Sequence, residues 1–137
     1  VPLNMIRKFK ESYSYVGESE SGARVKIPVG GKPRKIEIGK QVGESCNQLL
    51  QEVFESIKKV IAMASPQSVF SLLQNIILTG GGSRIRNFDQ ELQRLLADDG
   101  YEDPEVTISS REIKPFVAMG AMKVAKAARD DQWVRPL

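Results

Sequence analysis

The sequence predicts an α/β protein in two unequal parts, a small β-hairpin and helix piece followed by a β/α layer. Three patterns predict it. The apolar run Ile76-Ile77-Leu78 leads through Thr79 into Gly80-Gly81-Gly82 and then into a helical apolar pattern. Two alternating stretches, Arg24-Val25-Lys26-Ile27 and Lys35-Ile36-Glu37-Ile38, flank the turn residues Gly30-Gly31-Lys32-Pro33. From Val42 to Ala64, apolar residues recur every three to four positions, the spacing of one buried helix face.

The elements follow in chain order. Leu3, Ile6 and Phe9, separated by charged residues, give a short helix over about 2–12, with Pro2 at a first-turn position. The period then shortens toward two. Tyr13 and Tyr15 read as part of an extended segment, and the two alternating stretches read as a hairpin closed by the glycines. Val42, Cys46, Leu50, Phe54, Ile57 and Ile61 mark the longest helix, which stops before Pro66. Val69, Leu72 and Leu73 add a short helix ahead of the strand that feeds the glycines. Beyond them, Asn87 with Gln90 forms a capping-box-like pair, and Phe88, Leu92, Leu95 and Leu96 fall on one helix face. Val106-Thr107-Ile108 is a further strand, and a last helix over about 115–128 carries the small residues Ala118, Gly120, Ala121 and Ala125 on a face suited to close packing. The tail past Asp130 is expected to be loose. Two strands do not make a stable parallel sheet by themselves. The later part therefore reads as a portion of something larger, and a chain that opens on Val1 rather than methionine fits a fragment.

Composition limits the function classes. At 137 residues, 41% hydrophobic and 27% charged, the chain suits one ordinary soluble core. A net charge of +3 with interleaved signs is too weak a footprint for nucleic acid. The local exception is Arg24, Lys26, Lys32, Arg34 and Lys35 around the hairpin, either a solvated ribbon edge or a contact for phosphate or a partner. Cys46 is the only cysteine, so no internal disulfide forms; its place among helical apolar residues makes it core filler. With no histidine, the usual imidazole base and the commonest zinc ligand are missing, and no metal-ligating or catalytic residue is assigned. No apolar run approaches the roughly 20 residues that span a bilayer, and no secretory leader is expected.

The glycine loop is the chemically informative segment. Three residues without Cβ allow a flat or charged group to approach the backbone, at the carboxyl end of a strand where open α/β folds bind ligands. The loop is neither of two familiar phosphate cradles. No lysine follows the glycines as a P-loop requires, and Arg84 or Ile85 stands near the third glycine of a dinucleotide fingerprint. The competing reading is a tight strand-to-helix turn and nothing more.

Two stretches, Lys10-Glu11-Ser12-Tyr13-Ser14-Tyr15-Val16-Gly17 and Leu73 through Arg86 with its glycines, together with their order, resemble the actin-like superfamily. Among bacterial actins the likeness is nearer the MamK family of magnetosome filament proteins than the rod-shape MreB family. The resemblance implies a partial actin-like (ribonuclease H-like) fold. Residues 1–43 would belong to the smaller subdomain IIB and residues 44–137 to subdomain IIA with its adenosine motif. It also implies that Gly80, Gly81, Gly82 and Ser83 lie against the nucleoside, that Lys10 and Glu11 reach the ribose, and that Arg84 and Lys114 stand near the base.

By the same resemblance, the intact protein would be a cytoplasmic, cytoskeletal, magnetosome-associated ATPase. It would bind ATP or GTP with Mg2+, self-associate into filaments and meet magnetosome adaptor proteins. The phosphate loops and the groups that orient water and metal lie in segments this chain does not contain. The chain alone is thus expected to be inactive and to bind nucleotide weakly or not at all. The alternatives are a naturally truncated, non-catalytic interaction module, or part of another ATPase of the actin, Hsp70 and sugar-kinase superfamily.

Overall fold

A computed structural model describes residues 2–17, 23–109, 114–129 and 133, with no side-chain description for 114–116. Helix α1 (Leu3–Tyr13) starts directly after Pro2, whose φ of −60° is already set for the first turn. Strands β1 (Arg24–Val29) and β2 (Lys32–Glu37) pair antiparallel, with Val25 opposite Ile36 and Lys26 opposite Lys35. Gly30 and Gly31 close this hairpin at φ +58° and +77°, the two positive angles that a two-residue turn of matching twist needs. Tyr13 closes α1 rather than entering a strand, and Tyr15 makes only a single bridge, to Arg86.

Helix α2 (Gly39–Met63) is the longest element, and its start places the expected 43/44 subdomain boundary inside its opening turns. Its buried seam, Cys46, Leu50 and Phe54 with Ile61 further on, recurs at helical spacing. Helix α3 (Pro66–Leu73) then leads into β3 (Ile76–Leu78). After the glycines and one 3-10 turn (Gly82–Arg84) comes α4 (Phe88–Asp98), whose Phe88, Leu92 and Leu96 form an i, i+4, i+8 stripe with almost no exposure. Strand β4 (Val106–Ile108) pairs parallel to β3, Ile76 facing Val106 and Leu78 facing Ile108.

The core sits where α2, α4 and β4 meet, joined by Val16 and Ile85 from the two segments around the glycine loop. Burying each of Leu92 and Leu96 contributes about 1.5–3 kcal/mol. Polar contacts fix the same packing. The Val106 amide donates to Gln93 Oε1 at 3.2 Å, tying β4 to α4. The Lys58 ammonium lies 3.1 Å from the Asp99 carboxylate and over the Phe54 ring, tying α2 to the end of α4.

Two sequence expectations fail locally. Asn87 stands ahead of α4 as expected, but at φ +63° and with no side-chain cap bond, so the capping box with Gln90 does not form. The reason is non-local: Arg86 is held in a bridge to Tyr15, and the chain turns left-handed at Asn87 to leave that bridge and enter the helix. In α5 (Lys114–Ala127) the small residues do not pack closely; Ala118, Gly120 and Ala121 are exposed and Ala125 is half-buried. Cys46 is buried in the core, as its helical position implies.

Candidate functional site

The glycine loop is held by its own hydrogen bonds. Gly80 takes φ +87°, a conformation that side chains resist, whereas Gly81 at φ −65° is ordinary helical backbone. The buried Ser83 hydroxyl donates to the Gly80 carbonyl at 2.8 Å, and the Arg84 and Ile85 amides donate to the carbonyls of Gly81 and Gly82. Only Gly80, then, needs to be glycine for its backbone angle. Among the described residues, chain neighbours aside, a Cβ at Gly81 would meet no atom within 4 Å, and one at Gly82 would meet Leu49 Cδ2 at 3.9 Å. Space lies open over both.

The end of α1 is tied against this loop. The Val16 amide donates to the Arg86 carbonyl at 3.1 Å, and the Arg86 amide donates to the Ser14 carbonyl at 3.3 Å. Ser14 is itself buried, and both its amide and its hydroxyl donate to the Lys10 carbonyl, closing the last turn of α1. Behind it, the buried Tyr15 hydroxyl donates to the Gly39 carbonyl at 3.3 Å. The Gly17 amide donates to Asn47 Oδ1 at 3.2 Å. Both anchor the segment to α2.

Between α1 and the loop lies a cleft of about 560 Å³, lined by Arg7, Lys10, Glu11, Ser14, Gly81, Gly82, Arg84 and Ile85. Five residues singled out in the sequence thus meet in one place: Lys10, Glu11, Gly81, Gly82 and Arg84. Gly80 and Ser83 lie behind the lining and hold the loop's shape. Lys114 opens α5, and its side chain falls outside the described residues. Arg7 and Ser14 were not foreseen. Arg7 is one helical turn before Lys10 and Glu11, so an i, i+3, i+4 reading of α1 would have found it.

The lining is positive overall, with one carboxylate among its charges. Arg7, Lys10 and Arg84 bring three positive charges against the single carboxylate of Glu11, and none of the four is in an ion pair among the described residues. No group of three metal-ligating side chains lies close together among the described residues. No helix of the described residues is long and apolar enough to cross a membrane.

A family model described as MreB/Mbl protein matches residues 8–132. The chain is 31% identical over 105 residues to the "Actin-like protein MamK" of Paramagnetospirillum magneticum (strain ATCC 700264 / AMB-1), covering 77% of this chain and 30% of that protein. It superposes on a MamK double helical filament structure with a TM-score of 0.80 at 28% identity, over 94% of this chain and 39% of that one. A non-polymerising MamK mutant bound to AMPPNP gives a TM-score of 0.77 at 28% identity, over 92% and 38%. The chain thus spans between 30% and 39% of the length of these relatives. The architecture is part of an actin-like fold, MamK-like over most of its length, and the chain belongs to the MreB/Mbl protein family.

Proposed function

We propose that this chain is the adenosine-side portion of a nucleotide-dependent, filament-forming bacterial actin, cytoskeletal and cytoplasmic, with a MamK-like role in organising magnetosome chains through adaptor proteins. The observation that carries the reading is the cleft. Five of its lining residues are those that the actin-like resemblance assigns to the nucleoside, and among the described residues a Cβ on Gly81 would stand in open space. A solved relative of the same fold is bound to AMPPNP, an ATP analogue.

The side chains divide the work. The Glu11 carboxylate accepts hydrogen bonds from both ribose hydroxyls, and Lys10 beside it balances the charge. Arg84 offers a planar guanidinium that stacks on the adenine face, and the Gly81–Gly82 backbone gives the base a flat seat. Arg7 adds a third positive charge to the cleft lining. ATP with Mg2+ would supply the phosphoryl chemistry, and that chemistry depends on water- and metal-positioning groups beyond these eight lining residues.

The test is Gly81→Val in the full-length polypeptide that carries this chain, titrated with a fluorescent ATP analogue. Its side chain enters empty space at an ordinary backbone angle, so the unfolding temperature should not change while affinity falls at least about tenfold, some 1.4 kcal/mol. Unchanged affinity would refute the site. Absence of nucleotide-dependent sedimentation in the wild type would refute the filament reading.

A further inference from the structure

Among the described residues the buried polar side chains are Ser14 and Ser83, one in each of the two segments that wall the cleft. Each hydroxyl donates backward along its own segment, Ser14 to the Lys10 carbonyl and Ser83 to the Gly80 carbonyl. A buried hydroxyl without an acceptor would cost stability, so both are held to these partners. The Ser83 bond shapes a loop that glycine already lets turn. The Ser14 bond acts on a turn that carries charge.

Helix α1 ends without the left-handed residue that closes many helices. Ser14 passes at once into extended backbone, at φ −66° and ψ 129°. The last turn is closed instead by Ser14 itself, through its amide at 3.1 Å and through its hydroxyl, both on the Lys10 carbonyl. That turn carries Lys10 and Glu11. Both are exposed, and neither is in an ion pair among the described residues, so no partner at the charged end aims either side chain. Their direction comes from the backbone they leave, because a helical side chain follows its Cα–Cβ bond back over the preceding turn. If the last turn frays, Lys10 and Glu11 lose their aim together.

We infer that Ser14 is a positioning residue of the cleft: its hydroxyl keeps the last turn of α1 closed and so aims Glu11, with Lys10 beside it, at the ribose of the nucleotide. It acts through Glu11 and not on the nucleotide. This role rests on the nucleotide reading above and deepens it. Serine suits the place because alanine would keep the amide bond and lose the hydroxyl bond, while a longer polar side chain would have to fit a position only 8% exposed.

The experiment compares ATP with its 2′,3′-dideoxy analogue in the full-length polypeptide, by competition against a fluorescent ATP analogue. Ser14→Ala leaves the amide bond in place, so the unfolding temperature should fall by no more than about 4 °C. ATP affinity should fall about fivefold, a part of the roughly tenfold or more that a hydrogen bond to a charged group represents. Affinity for the dideoxy analogue, which has no hydroxyls for Glu11, should change less than about twofold. Ser14→Thr, whose hydroxyl can reach the same carbonyl, should restore the preference for ATP. In a Glu11→Gln background Ser14→Ala should add almost nothing, as two residues acting through one contact require. Equal losses for both ligands would make Ser14 a structural residue and overturn the inference, as would a Ser14→Thr protein that folds like the wild type without regaining the preference. A full further loss in the Glu11→Gln background would make Ser14 a direct contact and also overturn it. If Glu11→Gln removes the preference and Ser14→Ala leaves it intact, the inference falls and the nucleotide reading stands. A wild type that binds the two ligands equally overturns the role of Glu11 and with it that of Ser14, and one that binds neither overturns the nucleotide reading itself.

Discussion

Gly43 lies within α2, where helix propensity alone says that alanine would stabilise by about 1 kcal/mol. The structure reverses that sign. A Cβ built at Gly43 points into the Tyr15 side chain, meeting its hydroxyl oxygen and coming within 2.6 Å of its ring Cζ, where ordinary contact begins near 3.4 Å. The ring would have to retreat by about 0.8 Å, and it is 5% exposed, with no solvent to retreat into. Overpacking of this kind costs about 1–3 kcal/mol. Losing the Tyr15 to Gly39 hydrogen bond costs about 1 kcal/mol more. Against the propensity gain, Gly43→Ala should destabilise by about 1–3 kcal/mol.

The displacement also reaches the cleft, because Ser14 and Val16 on either side of Tyr15 hold Arg86 and with it the glycine loop. Nucleotide affinity should fall together with stability. The assay is urea unfolding of the full-length polypeptide, compared at unchanged m-value. Gly43→Ala combined with Tyr15→Leu, which vacates the space, should be less destabilised than the two single changes summed. A Gly43→Ala protein as stable as the wild type or more so would refute the reasoning.

Four other outcomes are expected. Leu92→Ala, at a position with no exposure between α2 and α4, should cost about 2–5 kcal/mol in the same unfolding assay. If Glu11 holds the ribose as proposed, Glu11→Gln should weaken nucleoside binding more for ATP than for its 2′,3′-dideoxy analogue, measured by competition, because the analogue has no ribose hydroxyls to use the carboxylate. Gly80→Ala, unlike Gly81→Ala, should lower stability by about 1–2 kcal/mol, since it forces a side chain into the left-handed region. The hydrogen bond with Asp99, joined by the charges of Asp99, Glu55 and Tyr101, holds the Lys58 ammonium above its ordinary value of 10.5 against the opposing effect of desolvation. A raised folded value means that the pairing's contribution is complete below pH 10.5 and is lost as pH climbs through the folded value. The unfolding-temperature gap between wild type and Asp99→Asn should therefore stay constant at neutral pH and close only above pH 10.5.

What the sequence made legible is what depends on local period and local turn chemistry. The seam Cys46, Leu50, Phe54 of α2, the paired glycines of the hairpin and the parallel partners Ile76–Leu78 and Val106–Ile108 were all visible as patterns. The site was half visible in the same way: Gly81, Gly82 and Arg84 announce a loop, while Lys10 and Glu11 came from resemblance and not from spacing. The features that escaped are those set by distant contacts. Asn87 looks like an N-cap and is instead a left-handed pivot, because Arg86 must pair with Tyr15. Gly43 looks like a weak spot in a helix and is the only residue small enough to sit under the Tyr15 ring.

These distant contacts explain how a cleft with walls from two chain segments more than 60 residues apart keeps one geometry. Each wall presents polar groups to the cleft and is backed by apolar packing. Val16, two residues after Ser14, is 1% exposed, Ile85, next after Arg84, is 6% exposed, and both apolar side chains enter the core cluster. The two backbone bonds between Ser14–Val16 and Arg86 therefore form next to buried apolar packing, where water does not compete for them. Glu11 and Arg84 need no direct contact to stay in register, since each is attached within a few residues to the same buried seam. A ligand entering the cleft meets walls that are already positioned, so little of its binding energy is lost to ordering the protein. The positioning comes from Tyr15, Val16 and Ile85, none of which carries any of the site's charge.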